Sequence, residues 1–441
     1  MEAERYEKGI NPTSYLTITD TPANHSAEQD ENPLFSFEIK SDCPEAIYKC
    51  GETAKFEIKL LNAAGNVVDG ANFNCEITGD WGLSKKFSLT TTAEGPCVVT
   101  ASLDKPGFIL CKASYNTKDS YKPYEGIAGV GFDPQLIKTQ QPEPLDFDVF
   151  WNKAKQELAA VPMKVEMMHV DILDNEIECF DVKINCTNNT PVSGCLTKST
   201  NAKPASLPGY ISYHGAGVYS SQKLIAEAKQ DFLALDINTH GIENGKSNSF
   251  YKELKEGDLK GYRTRNCDNP LKIYHRGLFQ RVLRSLEFLK SQPEWDGRNL
   301  IVSGTSQGGA QAIVASALDS QVSFCIANVP AFCLNTGSLN GQNGFHWFVN
   351  AKNLHNINPA VLETVPYYEA VSFAKRIKCP CVFSTGFIDP YCPPSSVYAA
   401  FNNIPVIEKH IINGIYCGHD VPEEIHIKCN KAIIKHIERG N

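Results

Sequence analysis

The sequence predicts a mostly parallel, eight-stranded sheet with helices on both faces, preceded by a smaller all-β sandwich. Three observations carry this expectation. Between about 33 and 132, short runs of alternating apolar and polar residues are separated by turn residues and show no helical period. From about 146 onward, strand-like and helix-like stretches alternate. Within that second region the apolar run Leu300-Ile301-Val302 stops at Gly304-Thr305-Ser306-Gln307-Gly308, and a small-residue helical pattern follows from Gly309 to Leu318.

At 441 residues the chain has room for two or three domains and a large core. Its hydrophobic content of 42% and charged content of 21% are those of a globular protein. A formal charge of −8 argues against a polyanionic partner, so no nucleic acid is expected. No apolar run has the length of a membrane span and the first residues lack the apolar core of a signal peptide. The expectation is a cytoplasmic protein as numbered, and a secreted or periplasmic one if a leader precedes it. Sixteen cysteines form no Cys-x-x-Cys pair, and Cys179, Cys186, Cys325 and Cys381 sit in apolar runs as small hydrophobes. Cys379-Pro-Cys381 and Cys417-Gly-His419 lack the four-ligand spacing of a zinc site, so neither metal nor cofactor is expected, and the thiols read as reduced.

Taken in order, residues 1–32 are polar and turn-rich, a poorly ordered arm. Strands are expected at 34–39, 53–60, 71–77, 87–92, 97–102, 108–115 and 127–132, punctuated by Asp69-Gly70, Glu94-Gly95-Pro96 and Lys105-Pro106-Gly107. About seven short strands at this spacing predict an immunoglobulin-like sandwich over 33–132. It carries no catalytic cluster and reads as a spacer, docking or oligomerisation module; a sugar-binding role would fall to Trp81 and Tyr121. Residues 133–145 form a linker with Pro142 and Pro144. A helix capped by Asp146 follows, its stripe read as Val149, Phe150, Ala154 and Leu158. The domain spanning 146–441 then takes strands at 165–172, 177–184, 209–213, 232–237, 300–303, 323–327, 381–385 and 406–412, with a helix over 278–289. In such sheets the chemistry lies beyond the C-terminal strand ends.

A strand that ends at a Ser flanked by Gly and continues as a helix is the context of a nucleophile elbow in an α/β-hydrolase. Ser306 is therefore the candidate nucleophile. It needs a base and an orienting acid, which in this fold follow in the order Ser, acid, His. Of six later histidines, His346 and His355 come too early, His410 lies in a strand pattern, and His426 and His436 lie in the terminal helix. His419 sits in a loop just after the last strand and is the candidate base. Asp389 leaves the penultimate strand through Gly386 and is the candidate acid; Asp420 adjoins the His and is less suited. The oxyanion needs two backbone donors, assigned to the N–H of Gln307 and of Ala216 in the loop His214-Gly215-Ala216-Gly217, with His214 shaping that loop.

At these residues the sequence resembles the acetyl xylan esterase / cephalosporin C deacetylase family. The carrying stretches are Tyr213-His214-Gly215-Ala216, Gly304-Thr305-Ser306-Gln307-Gly308-Gly309, Asp389 through Cys392-Pro393-Pro394-Ser395, and Gly418-His419-Asp420. Tyr274-His275-Arg276-Gly277 and Trp295-Asp296-Gly297-Arg298 look like the family's approach to its nucleophile. The resemblance covers about 146–441. It implies an esterase that removes acetyl groups from small oxygen-linked substrates such as acetylated carbohydrates, with roles on Ser306, Asp389, His419, Gln307 and Ala216, and it leaves room for a homo-oligomer. Two departures stand out: Thr239-His240-Gly241 replaces the family's Arg-Gly-Gln, and His419-Asp420 replaces its His-Glu. The rival readings are a peptidase or thioesterase on the same fold, and an inert carbohydrate-binding protein. Phe345, His346, Trp347 and Phe348 are candidate walls of an acyl pocket, or core.

Overall fold

A computed structural model describes residues 33–349 and 354–440; the predicted arm at 1–32 lies outside them. The N-terminal strands are β1 (Phe35–Ser41), β2 (Ile47–Tyr48), β3 (Ala54–Asn62), β4 (Asn72–Gly79), β5 (Ser84–Thr90), β6 (Cys97–Ala101), β7 (Gly107–Tyr115) and β8 (Tyr124–Phe132). They form a three-stranded sheet, β1-β3-β6, and a five-stranded sheet, β2-β8-β7-β4-β5. Alternation in β3 buries Phe56, Ile58 and Leu60, with Lys55 and Glu57 exposed and Lys59 half-buried. The two sheets share a core, with the Phe37 and Phe73 rings 5.3 Å apart. Strand β2, only two residues long, gives no periodic signal and was not expected.

The larger sheet has nine strands rather than eight. They are β9 (Val165–His169), β10 (Ile177–Ile184), β11 (Val192–Ser199), β12 (Leu207–Tyr213), β13 (Leu233–Asn238), β14 (Trp295–Thr305), β15 (Phe324–Asn328), β16 (Cys381–Gly386) and β17 (Lys409–Gly414), in the order β17-β16-β15-β14-β12-β13-β11-β10-β9. Six are parallel, from β17 to β13, and β11, β10 and β9 run antiparallel at one side. The strand the sequence hid is β11, Val-Ser-Gly-Cys-Leu-Thr-Lys-Ser. Its small and polar residues mimic a loop, yet its first six are buried between β10 and β13. Gly194 is required there, because a Cβ would come 2.5 Å from the Asp236 carbonyl across the pairing.

Helices cover the sheet. The helix Tyr274–Lys290 buries Leu278, Val282, Leu286 and Leu289 as its period predicts. The helix Phe147–Ala159 is turned from expectation. It buries Phe147, Trp151, Ala154 and Leu158, while Val149 is 69% exposed. Asp146 makes no side-chain cap; its carboxylate accepts from the Tyr367 hydroxyl at 2.6 Å. Trp151 decides the rotation, because its ring packs among Phe279, Tyr368 and Phe373 and its Nε1–H donates to the Tyr367 carbonyl at 2.9 Å. All sixteen cysteines are free thiols. Among the described residues no helix is long and apolar enough to cross a membrane.

Candidate active site

Strand β14 ends at Thr305, and the helix Gln307–Leu318 begins two residues later. Ser306 bridges them at φ 60°, ψ −120°, a conformation that costs a non-glycine residue about 1–3 kcal/mol. Neighbours hold it there. Its N–H donates to the Asn328 carbonyl at 2.9 Å, and its carbonyl accepts from Ala310 and Ala331 at 3.1 and 2.9 Å. A Cβ on Gly304 would lie 2.3 Å from Gly308, and one on Gly308 would lie 1.8 Å from the Tyr213 carbonyl. The two glycines are what let strand and helix meet.

The other expected partners converge on this corner. His419 Nε2 lies 2.9 Å from Ser306 Oγ, and His419 Nδ1 lies 2.7 Å from Asp389 Oδ2. The second carboxylate oxygen of Asp389 accepts the N–H groups of Tyr391 and Cys392 at 2.8 and 2.9 Å. Asp389 is 2% exposed. The loops bearing acid and base are also tied to each other: Phe387 and Ile388 donate to the carbonyls of Gly414 and Cys417 at 2.9 and 3.2 Å. A Cβ on Gly386 would strike the Gly418 carbonyl at 2.1 Å, so that glycine admits the His loop. The Tyr391 ring stands edge-on to His419, 5.3 Å between centroids. This arrangement can pass a proton from a hydroxyl to an imidazole whose tautomer a buried carboxylate fixes.

The loop after β12 lies against the same corner, with a Cβ on Gly215 only 3.8 Å from Ser306 Cβ. The Thr239 N–H donates to His214 Nε2 at 3.3 Å, so the His214 proton sits on Nδ1 and is donated to the Gly215 carbonyl at 3.1 Å. The Tyr219 hydroxyl donates to that same carbonyl at 3.1 Å. In a trans peptide the next N–H points the opposite way, so holding the Gly215 carbonyl aims the N–H of Ala216. Burial pushes His214 down to about 4, so it stays neutral at ordinary pH.

Beneath the loop runs the segment that departs from the family pattern. His240 Nε2 donates to the Gly217 carbonyl at 2.7 Å and its Nδ1 accepts from the Tyr274 hydroxyl at 2.7 Å. Asn238 Nδ2 donates to the Tyr219 carbonyl at 2.7 Å. Arg281 grips the Thr239 carbonyl through Nε and Nη2 at 3.0 and 2.8 Å. The side chain of Gln307 lies between Thr239 Oγ1 and the Tyr262 hydroxyl, at 3.4 and 3.3 Å. Gly241 takes φ +68°, and a Cβ there would meet the Pro191 carbonyl at 2.0 Å. Burial, with the Arg281 charge adding to it, pushes His240 down to about 3, so it acts as a neutral hydrogen-bonding post. Replacing His240 by Ala removes the donor to the Gly217 carbonyl and one partner of the Tyr274 hydroxyl. We expect kcat/KM on p-nitrophenyl acetate to fall about tenfold, less than the ~10²–10³-fold typical of losing an oxyanion donor itself; a wild-type value would show that the loop holds without it.

Composition and spacing did not reveal Tyr262, Tyr274, Arg281 or Asn328 as supports, because each acts across the fold. Phe345 and Phe348 are buried core, whereas His346 and Trp347 are half-buried at the edge of the site. Donor atoms of Asp389, Cys392 and His419 lie within 4.8 Å of one another. Burial and the Asp389 charge push the Cys392 thiol well above its ordinary range, which keeps it protonated.

A sequence model of the acetyl xylan esterase family matches residues 135–430. The chain belongs to that family. Acetyl esterase Axe7A of Xylanibacter ruminicola is 31% identical over 379 residues, 84% of this chain and 83% of the relative. That is more of the chain than 135–441 contains, so the alignment runs on into the N-terminal sheets. This acetyl xylan esterase family member also resembles solved structures of acetyl xylan esterases. The one from a Paenibacillus species has a TM-score of 0.60 at 25% identity, covering 68% of this chain and 98% of its own. The one from a Thermoanaerobacterium species has a TM-score of 0.59 at 21% identity, covering 69% and 97%. The part of the chain that carries the nine-stranded sheet is of the α/β-hydrolase type with a mixed sheet, and the family makes this chain a carboxylic ester hydrolase.

Proposed function

We propose that the chain is a serine esterase that removes acetyl groups from O-acetylated carbohydrates, xylan or xylo-oligosaccharides above all, through an acyl-enzyme. The observation that carries the reading is the unbroken hydrogen-bonded line Ser306–His419–Asp389 at the mouth of the sheet, in a chain of the acetyl xylan esterase family. His419 takes the Ser306 proton as Oγ attacks the acetyl carbonyl, and Asp389 holds the imidazole with its proton on Nδ1. The N–H groups of Gln307 and Ala216 receive the developing oxyanion, and the helix Gln307–Leu318 presents its positive end to it. His419 then returns the proton to the leaving sugar hydroxyl and activates the water that frees acetate. Oxyanion donors of this kind contribute about 3–4 kcal/mol each. The relatives named for acetyl ester and acetyl xylan substrates support the acetyl assignment.

The layout we propose is an immunoglobulin-like sandwich over 33–132, a linker over 133–145 and the catalytic domain over 146–441, with a homo-oligomer as an open arrangement. The two packed sheets β1-β3-β6 and β2-β8-β7-β4-β5 support the sandwich reading. Rates on acetylated xylo-oligosaccharides, cephalosporin C, a long-chain acyl ester, an acyl thioester and a peptide anilide test the substrate class. Turnover confined to acetyl esters, fastest on the acetylated sugars, is expected. Faster turnover of the thioester or anilide would replace the reading with a thioesterase or peptidase.

A further inference from the structure

A buried carboxylate lies where the sandwich meets the site. Asp80 follows β4 and is 1% exposed, with no cation paired to it among the described residues. Its Oδ2 accepts the N–H of Phe108 at 2.7 Å, from β7, and the hydroxyl of Ser395 at 2.5 Å. Its Oδ1 accepts the N–H of Asn343 at 2.5 Å. Those partners come from a strand, a helix and a loop far apart in the chain. Ser395 opens the helix Pro394–Asn402, which starts directly after the Tyr391-Cys392 pair whose N–H groups hold Asp389. Asn343 lies three positions before His346, whose ring is 6.5 Å from that of Tyr391.

Packing around this carboxylate repeats the connection. The Phe108 ring stands edge-on to Phe387, two residues before Asp389, at 5.0 Å, and lies 5.6 Å from Tyr398. Gly129 of β8 is pressed against the Phe387 carbonyl, where a Cβ would come within 2.4 Å. The N–H of Trp81 donates to the Gly341 carbonyl at 2.5 Å, with Trp81 held at φ 62°. An uncompensated buried carboxylate is costly unless hydrogen bonds satisfy it. Burial pushes Asp80 up to about 6, and the three donors hold it down against that. A group kept at such cost at the seam between the sandwich and the acid loop calls for a function.

We propose that the sandwich is a working part of the ester-hydrolysing centre, with Asp80 as a positioning residue that fixes the Asp389 loop and the 343–348 segment together. The proposal rests on the reading of Asp389 as the triad acid. Misplacement of a catalytic group by about 1 Å can cost ~10²-fold in rate, so a clamp on this loop acts on kcat rather than on substrate affinity.

The test is steady-state kinetics on p-nitrophenyl acetate with the full chain carrying Asp80→Asn or Ser395→Ala, beside thermal melts and the low-field proton NMR signal of the His419–Asp389 hydrogen bond. Asparagine is isosteric but has one acceptor oxygen. Because both Oδ1 and Oδ2 face a backbone N–H, its amide NH₂ must confront one of them in either orientation. We expect kcat to fall ~10–100-fold for Asp80→Asn and several-fold for Ser395→Ala, with KM within about twofold and the low-field signal weakened. If Asp80→Asn does not fold, Ser395→Ala decides, since it removes one bond and leaves the carboxylate and both backbone contacts. Wild-type kcat and an unchanged proton signal in the folded variants, with only a lower melting temperature, would reduce Asp80 to a structural staple. Active Ser306→Ala would instead sink the triad reading, so the two failures are separable.

Discussion

Replacing Ser306 with alanine is expected to lower kcat on p-nitrophenyl acetate by ~10⁵-fold or more, leaving at most the weak rate that binding and the oxyanion donors sustain. The reason is chemical: in the mechanism we propose, the hydroxyl 2.9 Å from His419 Nε2 is the atom that forms the acyl bond. The fold should survive. The anchors of residue 306 are backbone bonds to Asn328, Ala310 and Ala331, which alanine keeps. A thermal midpoint within a few degrees of wild type, with no turnover, is the expected pair of results. Substantial turnover would place the nucleophile elsewhere.

Asp389→Asn should be nearly as severe, with kcat down ~10⁴-fold and KM little changed. Here the structure dictates which way the amide must turn. The N–H groups of Tyr391 and Cys392 both donate to Asp389 Oδ1, so the asparagine oxygen must take that position. Its NH₂ then faces His419 Nδ1, where Oδ2 lay at 2.7 Å. That donor drives the imidazole proton to Nε2, and an Nε2–H cannot accept the Ser306 proton. Geometry is preserved and the tautomer is wrong. Steady-state kinetics at neutral pH check this, and a loss below about tenfold would mean that His419 does not depend on Asp389 for its orientation.

Much of this site could be read from the chain because its residues are set by local backbone. Gly304 and Gly308 advertise the tight turn, Gly386 the admission of the His loop, and Gly418-His419 a loop directly after the last strand. The order of strands along the chain then places Ser306, Asp389 and His419 at one edge without any knowledge of side chains. What the sequence hid depends on partners far away. Strand β11 is polar in composition, and only burial between β10 and β13 makes it a strand. The helix Phe147–Ala159 turns toward Trp151 because aromatic partners more than a hundred positions later receive it. His240 looked like a departure from a motif, and only the Gly217 carbonyl 2.7 Å away gives it a role. Asp80 carries no local signal, and its hydroxyl partner Ser395 lies 315 positions away. Local pattern encodes the corner of the elbow, whereas the supports that hold its neighbours are encoded by pairs no periodicity links.

If His419 activates Ser306 to form a covalent intermediate, as we propose, Ser306 is the residue a mechanism-based phosphonate will trap. The enzyme is titrated with an organophosphonate ester, the remaining esterase activity is followed, and the adduct is mapped by mass spectrometry. A single phosphonyl group on the peptide containing Ser306 is expected, with loss of activity in step with labelling and no labelling when His419 is replaced by alanine. Inactivation with the label on another residue, or full activity with Ser306 modified, would contradict it.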